Sequence, residues 1–130
     1  MSWDVFIQHL PASATRVADI PADFQPLPLG PRRDVMEAIA DAFPMVRASD
    51  PTWFTIDDPR YTIEIAVSGD DPIDSVTLFI RGDASVVAPV ARLIERLGAR
   101  AIDSWTGEFF DSASAGQSLA RWRSYIEDEG

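Results

Sequence analysis

The sequence predicts an α+β fold with a mostly antiparallel sheet. The first observation is the segment 61–98, where two strands of alternating apolar side chains are joined by a turn and followed by a helix. The second is another strand pattern at residues 52–56, one turn earlier, which favours a three-strand meander. The third is the length of 130 residues, which suits one domain spanning residues 1–130 that can bury about two-thirds of its unfolded surface.

The composition narrows the functional classes. The sequence has no cysteine, which excludes disulfides, thiolate catalysis and zinc–thiolate sites. It has neither an apolar run of about 20 residues nor a secretory signal pattern, so we expect a cytoplasmic protein. The net charge of −10 argues against nucleic acid and anionic membrane as partners, because phosphate groups bind basic surfaces. The same charge favours a basic partner.

The first elements follow from periodicity and from proline. Residues 3–10 predict a strand with apolar side chains on both faces, such as Ile7 and Phe6, which is typical of an interior strand. Residues 11–30, here called the strap, contain four prolines and should lie across the core without regular structure. Residues 31–43 predict a helix, with Pro31 suited to its first position.

The second half alternates strands and helices. The strand patterns at 52–56, 61–67 and 74–81 predict the meander, and a helical stripe then runs to Gly98, which is placed to end the helix. Residues 99–103 should return as a strand into the same sheet. Residues 104–111 predict an aromatic and acidic loop. A last helix is expected at 115–127, with its apolar stripe formed by Leu119, Trp122 and Ile126.

This order of elements predicts a ferredoxin-like two-layer sandwich of about five strands and two to three helices, because removing one strand leaves a β-α-β-β-α-β plan. One sheet face should pack on the internal helices. The other face is expected to carry Phe6, Gln8, Thr62, Glu64, Thr77, Phe79 and Arg81. Exposed phenylalanines favour a cover. We expect that cover from the strap or the last helix, with a homodimer through this face as the alternative to a monomer.

Catalytic patterns are scarce. The sequence lacks a Ser nucleophile motif, a phosphate-binding glycine loop and a metal-ligand spacing, so we expect no cofactor and no metal and favour a protein without enzyme activity over a small enzyme. His9 is the single histidine, and on a core-facing strand position it is more often structural than catalytic.

The segment 103–111 is the most specific local feature. The alternative to a binding module is a small-molecule-binding protein or a small enzyme, with a pocket between the sheet and this loop. Functional loops often follow strand ends, and a glutamate beside aromatic rings can act as an acid or base. The opposing interpretation is that the loop aromatics simply anchor it to the core. The pocket candidates are His9, Arg81, Asp103, Trp105 and Glu108.

Three segments, at residues 3–8, 79–84 and 100–109, resemble parts of small uncharacterised bacterial proteins. The resemblance spans most of the chain and implies a whole bacterial protein. It implies no activity, so no catalytic residue follows from it.

The favoured hypothesis is an acidic protein-binding module, of the inhibitor or immunity type, that acts on a basic protein partner. Acidic surfaces accelerate association with basic partners. The opposing interpretation is that acidic turns are merely solvated. The residues expected to form the binding surface are Asp57, Asp58, Asp70, Asp71 and Asp74.

Overall fold

The computed structural model describes residues 2–129, and within them it contains seven strands and three α-helices. The strands are β1 (Trp3–Gln8), β2 (Arg47–Asp50), β3 (Trp53–Asp58), β4 (Tyr61–Gly69), β5 (Ile73–Gly82), β6 (Arg100–Asp103) and β7 (Glu108–Phe109). The helices are α1 (Arg32–Ala42), α2 (Val87–Arg96) and α3 (Ser112–Glu129). The predicted α+β class is therefore confirmed.

All seven strands form one antiparallel sheet in the order β2-β3-β4-β5-β1-β6-β7. The predicted meander is confirmed as β3, β4 and β5, and β1 is an interior strand between β5 and β6. Because β5 and β6 are both antiparallel to β1, they run parallel to each other on its two sides, and α2 connects them. The prediction of about five strands was too low, since β2 and β7 are short additional strands at the two edges.

Local signals set the bounds of α2 as expected. Asp83 caps the preceding 3-10 turn (Ala84–Val86), where its carboxylate accepts a hydrogen bond from the Ser85 amide at 2.9 Å. Pro89 falls in the first turn of α2, where its missing N–H leaves no helical hydrogen bond unmade. Gly98 follows the helix with φ +60°, a conformation that glycine adopts at low cost.

The three helices pack on the same sheet face. That face carries the buried side chains of alternate strand residues, among them Val5, Ile65 and Leu78. Val35 and Leu93 bring α1 and α2 into the same core, and Leu119 and Trp122 bring α3 into it. The side chain of Ile126, predicted to extend the apolar stripe, lies outside the described residues. The result is a two-layer arrangement with helices on one side.

The strap stays at one end of the sheet. Isolated bridges join Leu27 to His9 and Gly30 to Ile73, at the end of β1 and the start of β5. Arg100 Nη1 donates hydrogen bonds to the carbonyls of residues 11 and 14 at 2.7 and 2.6 Å, which ties the strap to β6. Arg100 lies opposite Gln8 on the second sheet face, so the strap reaches that face at β6. Leu119 and Trp122 place the last helix in the core on the other face, so the expectation that this helix covers the second face is wrong. Cover by the strap over the rest of the second face stays a prediction.

No helix within residues 2–129 has both the length and the apolar character that crossing a bilayer requires.

Candidate functional site

The sheet face opposite the helices, here called the open face, is built by the outward-facing residues of the central strands. Period-2 alternation sends Ile63 and Ile80 into the core, so Glu64 and Phe79 project to the other side. Phe6 is 39% exposed on the same face, where it lies opposite Thr77 of β5. An exposed aromatic surface on a sheet marks a candidate binding site.

A depression of about 490 Å³ lies on the open face over β3, β4 and β5. The rings of Trp53 and Phe79 stack in it, with centroids 5.9 Å apart and planes 22° apart. The cross-strand register explains this contact: Trp53 lies opposite Ala66 of β4, and Phe79 lies opposite Glu64, two pairs further along the strand. The small Ala66 side chain leaves room for the two rings to meet diagonally across β4.

The same depression is flanked by charged side chains. Asp57 and Glu64 line it, both exposed, together with Arg81. Asp4 lies opposite Phe79 on the neighbouring strand β1, and its carboxylate accepts a hydrogen bond from the Ser2 hydroxyl. Three carboxylates against one guanidinium leave this part of the surface acidic. An aromatic surface flanked by carboxylates is suited to binding a cation.

A second depression of about 660 Å³ lies at the β6–β7 edge, with Arg100, Glu108 and Phe109 among its lining residues. The Arg100 guanidinium lies 3.5 Å from the centroid of the Phe109 ring and is already hydrogen-bonded to the strap. Glu108 forms an ion pair with Arg16 at 3.4 Å. Arg100 and Glu108 are therefore engaged in contacts within the chain.

Asp103, one of the predicted pocket residues, is 4% exposed and lies in the core. Its carboxyl oxygens accept hydrogen bonds from Trp3 Nε1 at 2.8 Å, from the Ser118 hydroxyl at 2.6 Å and from the Trp105 amide at 2.9 Å. These bonds join β1, β6 and α3. This arrangement is an internal anchor and leaves the carboxyl inaccessible to a ligand.

The other predicted pocket residues are dispersed. His9 lies at the end of β1 beside the strap, and Trp105 is 40% exposed with its ring 5.1 Å from that of Tyr125 on α3. Glu108 lines the edge depression, whereas Arg81 lines the depression on the open face. The structure therefore does not bring the five candidates together in one cavity.

The five predicted acidic residues form two separate groups. Asp57 and Asp58 lie at one end of β4, and Asp70, Asp71 and Asp74 lie around the turn at its other end. The nine-residue β4 separates the two groups by about 26 Å at 3.3 Å per residue. One contiguous acidic surface is therefore not formed, although Asp57 belongs to the open-face depression.

Two of these carboxylates have structural contacts. The Arg60 side chain donates hydrogen bonds to Asp58 at 3.0 and 3.2 Å, which lowers the pKa of that carboxyl. Asp71 accepts a hydrogen bond from the Arg32 amide at 3.1 Å, at the start of α1. Both contacts fix turns and helix ends, as acidic turn residues commonly do.

Sequence reasoning missed Trp53 as a site residue. Its signal was present, because the alternation of residues 53–58 places Trp53 on the face opposite Phe54 and Ile56. What the pattern could not show is that Trp53 meets Phe79 across an intervening strand. Among the described residues, no group of three or more His, Asp or Glu side chains is arranged to hold a metal ion.

Comparison with protein-family models, with curated proteins and with solved structures finds no match to this chain. The resemblance to small bacterial proteins stays a prediction.

Proposed function

We propose that this protein is a binding module, not an enzyme, and that its open face docks a basic protein partner in the manner of an inhibitor or immunity-type protein. The observation that carries this proposal is the depression in which Trp53 and Phe79 stack between carboxylates, on the face that the helices leave uncovered. Protein interfaces characteristically combine an aromatic centre with a polar rim.

Charge supports the choice of partner. The net charge of −10 attracts a basic protein over a distance of several ångströms, and the acidic rim of the depression continues that attraction at contact. Asp4, Asp57 and Glu64 supply the rim. The remaining acidic turn residues then contribute to the approach of the partner rather than to the contact itself.

We also propose that β1, α1, β4, β5, α2 and β6 form a ferredoxin-like unit. Two split β-α-β arrangements support this: β5 and β6 are parallel with β1 between them, and β1 and β4 are parallel with β5 between them. In this interpretation β2, β3, β7 and α3 are additions. A two-layer unit of this kind has one sheet face available for binding.

The small-molecule alternative is weaker on the same structural grounds. Its predicted residues are dispersed, Asp103 is an internal anchor, and Glu108 pairs with Arg16 at the edge depression. We therefore place it second.

The experiment compares two variants with the unmodified protein as bait. The open-face variant carries Phe6→Ser and Glu64→Gln, and the turn variant carries Asp70→Asn and Asp74→Asn. Proteins captured from the source cells at low salt are identified, purified and returned to the bait, and Kd is measured at two salt concentrations. We expect a basic partner whose affinity falls with salt.

The open-face variant should bind that partner at least about tenfold more weakly, because it removes an exposed aromatic residue and a rim carboxylate at the interface. The turn variant should keep the affinity within about threefold, because rim charges away from the contact mainly affect association rate. A turn variant that loses binding while the open-face variant keeps it contradicts the proposal, as does the absence of any partner that binds after purification.

A further inference from the structure

Building on the proposed function, we propose that the open-face depression is a pocket for one arginine side chain of the partner. The pocket provides an aromatic wall and a carboxylate side by side, and these are the two groups that a guanidinium recognises. Trp53 and Phe79 form the wall, and Glu64 and Asp57 provide the carboxylates.

The aromatic wall favours a flat cation. The two rings stack with planes 22° apart, so a ligand can stack only on the face that each ring turns away from the other. A planar guanidinium stacks on such a surface, whereas an ammonium is more strongly hydrated. The chain already contains this contact on the same sheet: the Arg100 guanidinium lies 3.5 Å from the centroid of the Phe109 ring.

The carboxylates favour a group with several donors. Glu64 lies directly opposite Phe79 in the register, which places a carboxylate beside the ring. Asp57 lies two pairs away from Thr55, the residue opposite Glu64, and so faces the same depression from β3. A guanidinium can donate to one carboxylate with two parallel N–H groups while it stacks on the ring, which a lysine ammonium does not do.

The pocket has room for an arginine side chain, and its lining has a negative charge. The volume of about 490 Å³ falls in the range of roughly 300–1,000 Å³ that is typical of small-ligand pockets. Arg81 lines the same pocket, so two carboxylates face one guanidinium and a net negative charge remains for the incoming arginine. Removal of the Arg81 charge should therefore strengthen arginine binding, whereas removal of a pocket carboxylate should weaken it.

The test uses short peptides that differ only in one central side chain, because a polycationic probe could bind through net charge alone. The blocked tripeptide Ac-Ala-Arg-Ala-NH₂ is titrated into the full chain and followed by backbone amide NMR shifts. Matched peptides carry lysine or citrulline in the centre, citrulline being the neutral analogue of arginine.

We expect the arginine peptide to shift the amides of Thr55, Glu64 and Phe79 and to bind about fivefold tighter than the lysine peptide and at least about tenfold tighter than the citrulline peptide. Glu64→Gln should weaken it about tenfold, and Arg81→Gln should strengthen it about threefold. Glu64 is exposed on the sheet surface, so its substitution should leave the fold intact.

The matched control is Glu37→Gln, which removes the same charge from an exposed position of α1, on the other side of the sheet. It should change the affinity by less than about twofold. Equal weakening by Glu37→Gln and Glu64→Gln, equal binding of all three peptides, or no binding of the arginine peptide up to its solubility limit overturns the arginine pocket.

A second copy of this chain is the other possible occupant of the open face. Sedimentation measured over a range of protein concentrations tests for such a dimer. A dimer that shields the Phe79 amide and blocks the peptide also overturns the arginine pocket. The two proposals fail separately: if the captured partner binds through the open face but the peptides do not discriminate, the binding module stands and only the arginine pocket falls.

Discussion

Asp103→Ala should destabilise the fold by about 4 kcal/mol. The substitution removes the acceptor for two buried donors, the Trp3 indole N–H at 2.8 Å and the Ser118 hydroxyl at 2.6 Å. A buried donor left unsatisfied costs about 1–3 kcal/mol, so two of them at the middle of that range give the total. The third donor, the Trp105 amide, belongs to an exposed residue and can form a hydrogen bond with water instead. We therefore assign little of the free-energy loss to it.

The assay is urea unfolding followed by tryptophan fluorescence, with Asp23→Ala on the exposed strap as the control that removes a carboxylate without burial. Ser118→Ala should cost about 1–3 kcal/mol, because it leaves the buried Oδ2 of Asp103 without the serine donor. In the double variant the two losses should be less than additive, since the same hydrogen bond is lost in both. A loss below about 1 kcal/mol for Asp103→Ala would refute the view that this carboxyl anchors β1, β6 and α3.

Three further predictions concern turns and anchors. Gly82→Ala should lower the free energy of unfolding by about 3–5 kcal/mol, because at φ +143° the new Cβ would lie 2.4 Å from the Cβ of the facing tyrosine. Gly107→Ala is the control: φ is +73° and no atom lies within 4 Å of the new Cβ, so the loss should be only about 1–2 kcal/mol. Equal losses for the two variants in urea unfolding would contradict the clash. Hydrogen bonds from the Ser85 side chain and amide lower the pKa of Asp83 in the fold. The Asp83 cap therefore stabilises the fold above about pH 4, and this contribution is lost as the pH falls through the folded pKa. Between pH 7 and pH 3 the free energy of unfolding should fall more steeply for the unmodified protein than for Asp83→Asn, and parallel curves would contradict a stabilising cap. Arg100→Lys should raise hydrogen exchange in the strap by removing the forked contacts to its two carbonyls, and unchanged exchange there would show that the strap is held by other contacts.

The alternation of apolar and polar residues predicted the strands correctly where one face of the strand is buried. The meander and β1 were predictable because apolar residues at every second position, such as Ile63 and Ile65, can be buried only on one face of a strand. The segment that became β2 offers no such pattern: all four residues of Arg47–Asp50 are exposed, and pairing with β3 alone makes it a strand. The two-residue β7 is likewise defined by its partner β6.

The candidate site was only partly predictable. Period 2 predicted which side chains of β4 and β5 form the open face, including Glu64, Phe79 and Arg81. It could not predict that Trp53 reaches Phe79, because that contact depends on the register of three strands and on the small size of Ala66. Proximity along the chain was a poor guide for the acidic turns, which β4 holds at opposite ends.

The central place of β1 has a consequence for biosynthesis. Its neighbours in the sheet come from residues 76–80 and 100–103, so β1 has no partner until about 70 residues have followed it, and it lacks the second partner until about 95 have. At about 5–20 residues per second the wait for the first partner lasts roughly 4–14 seconds. Throughout it Val5 and Ile7, fully buried in the finished fold, are exposed to chaperones and to other nascent chains. The meander can form before β1 is incorporated, because its contacts are local.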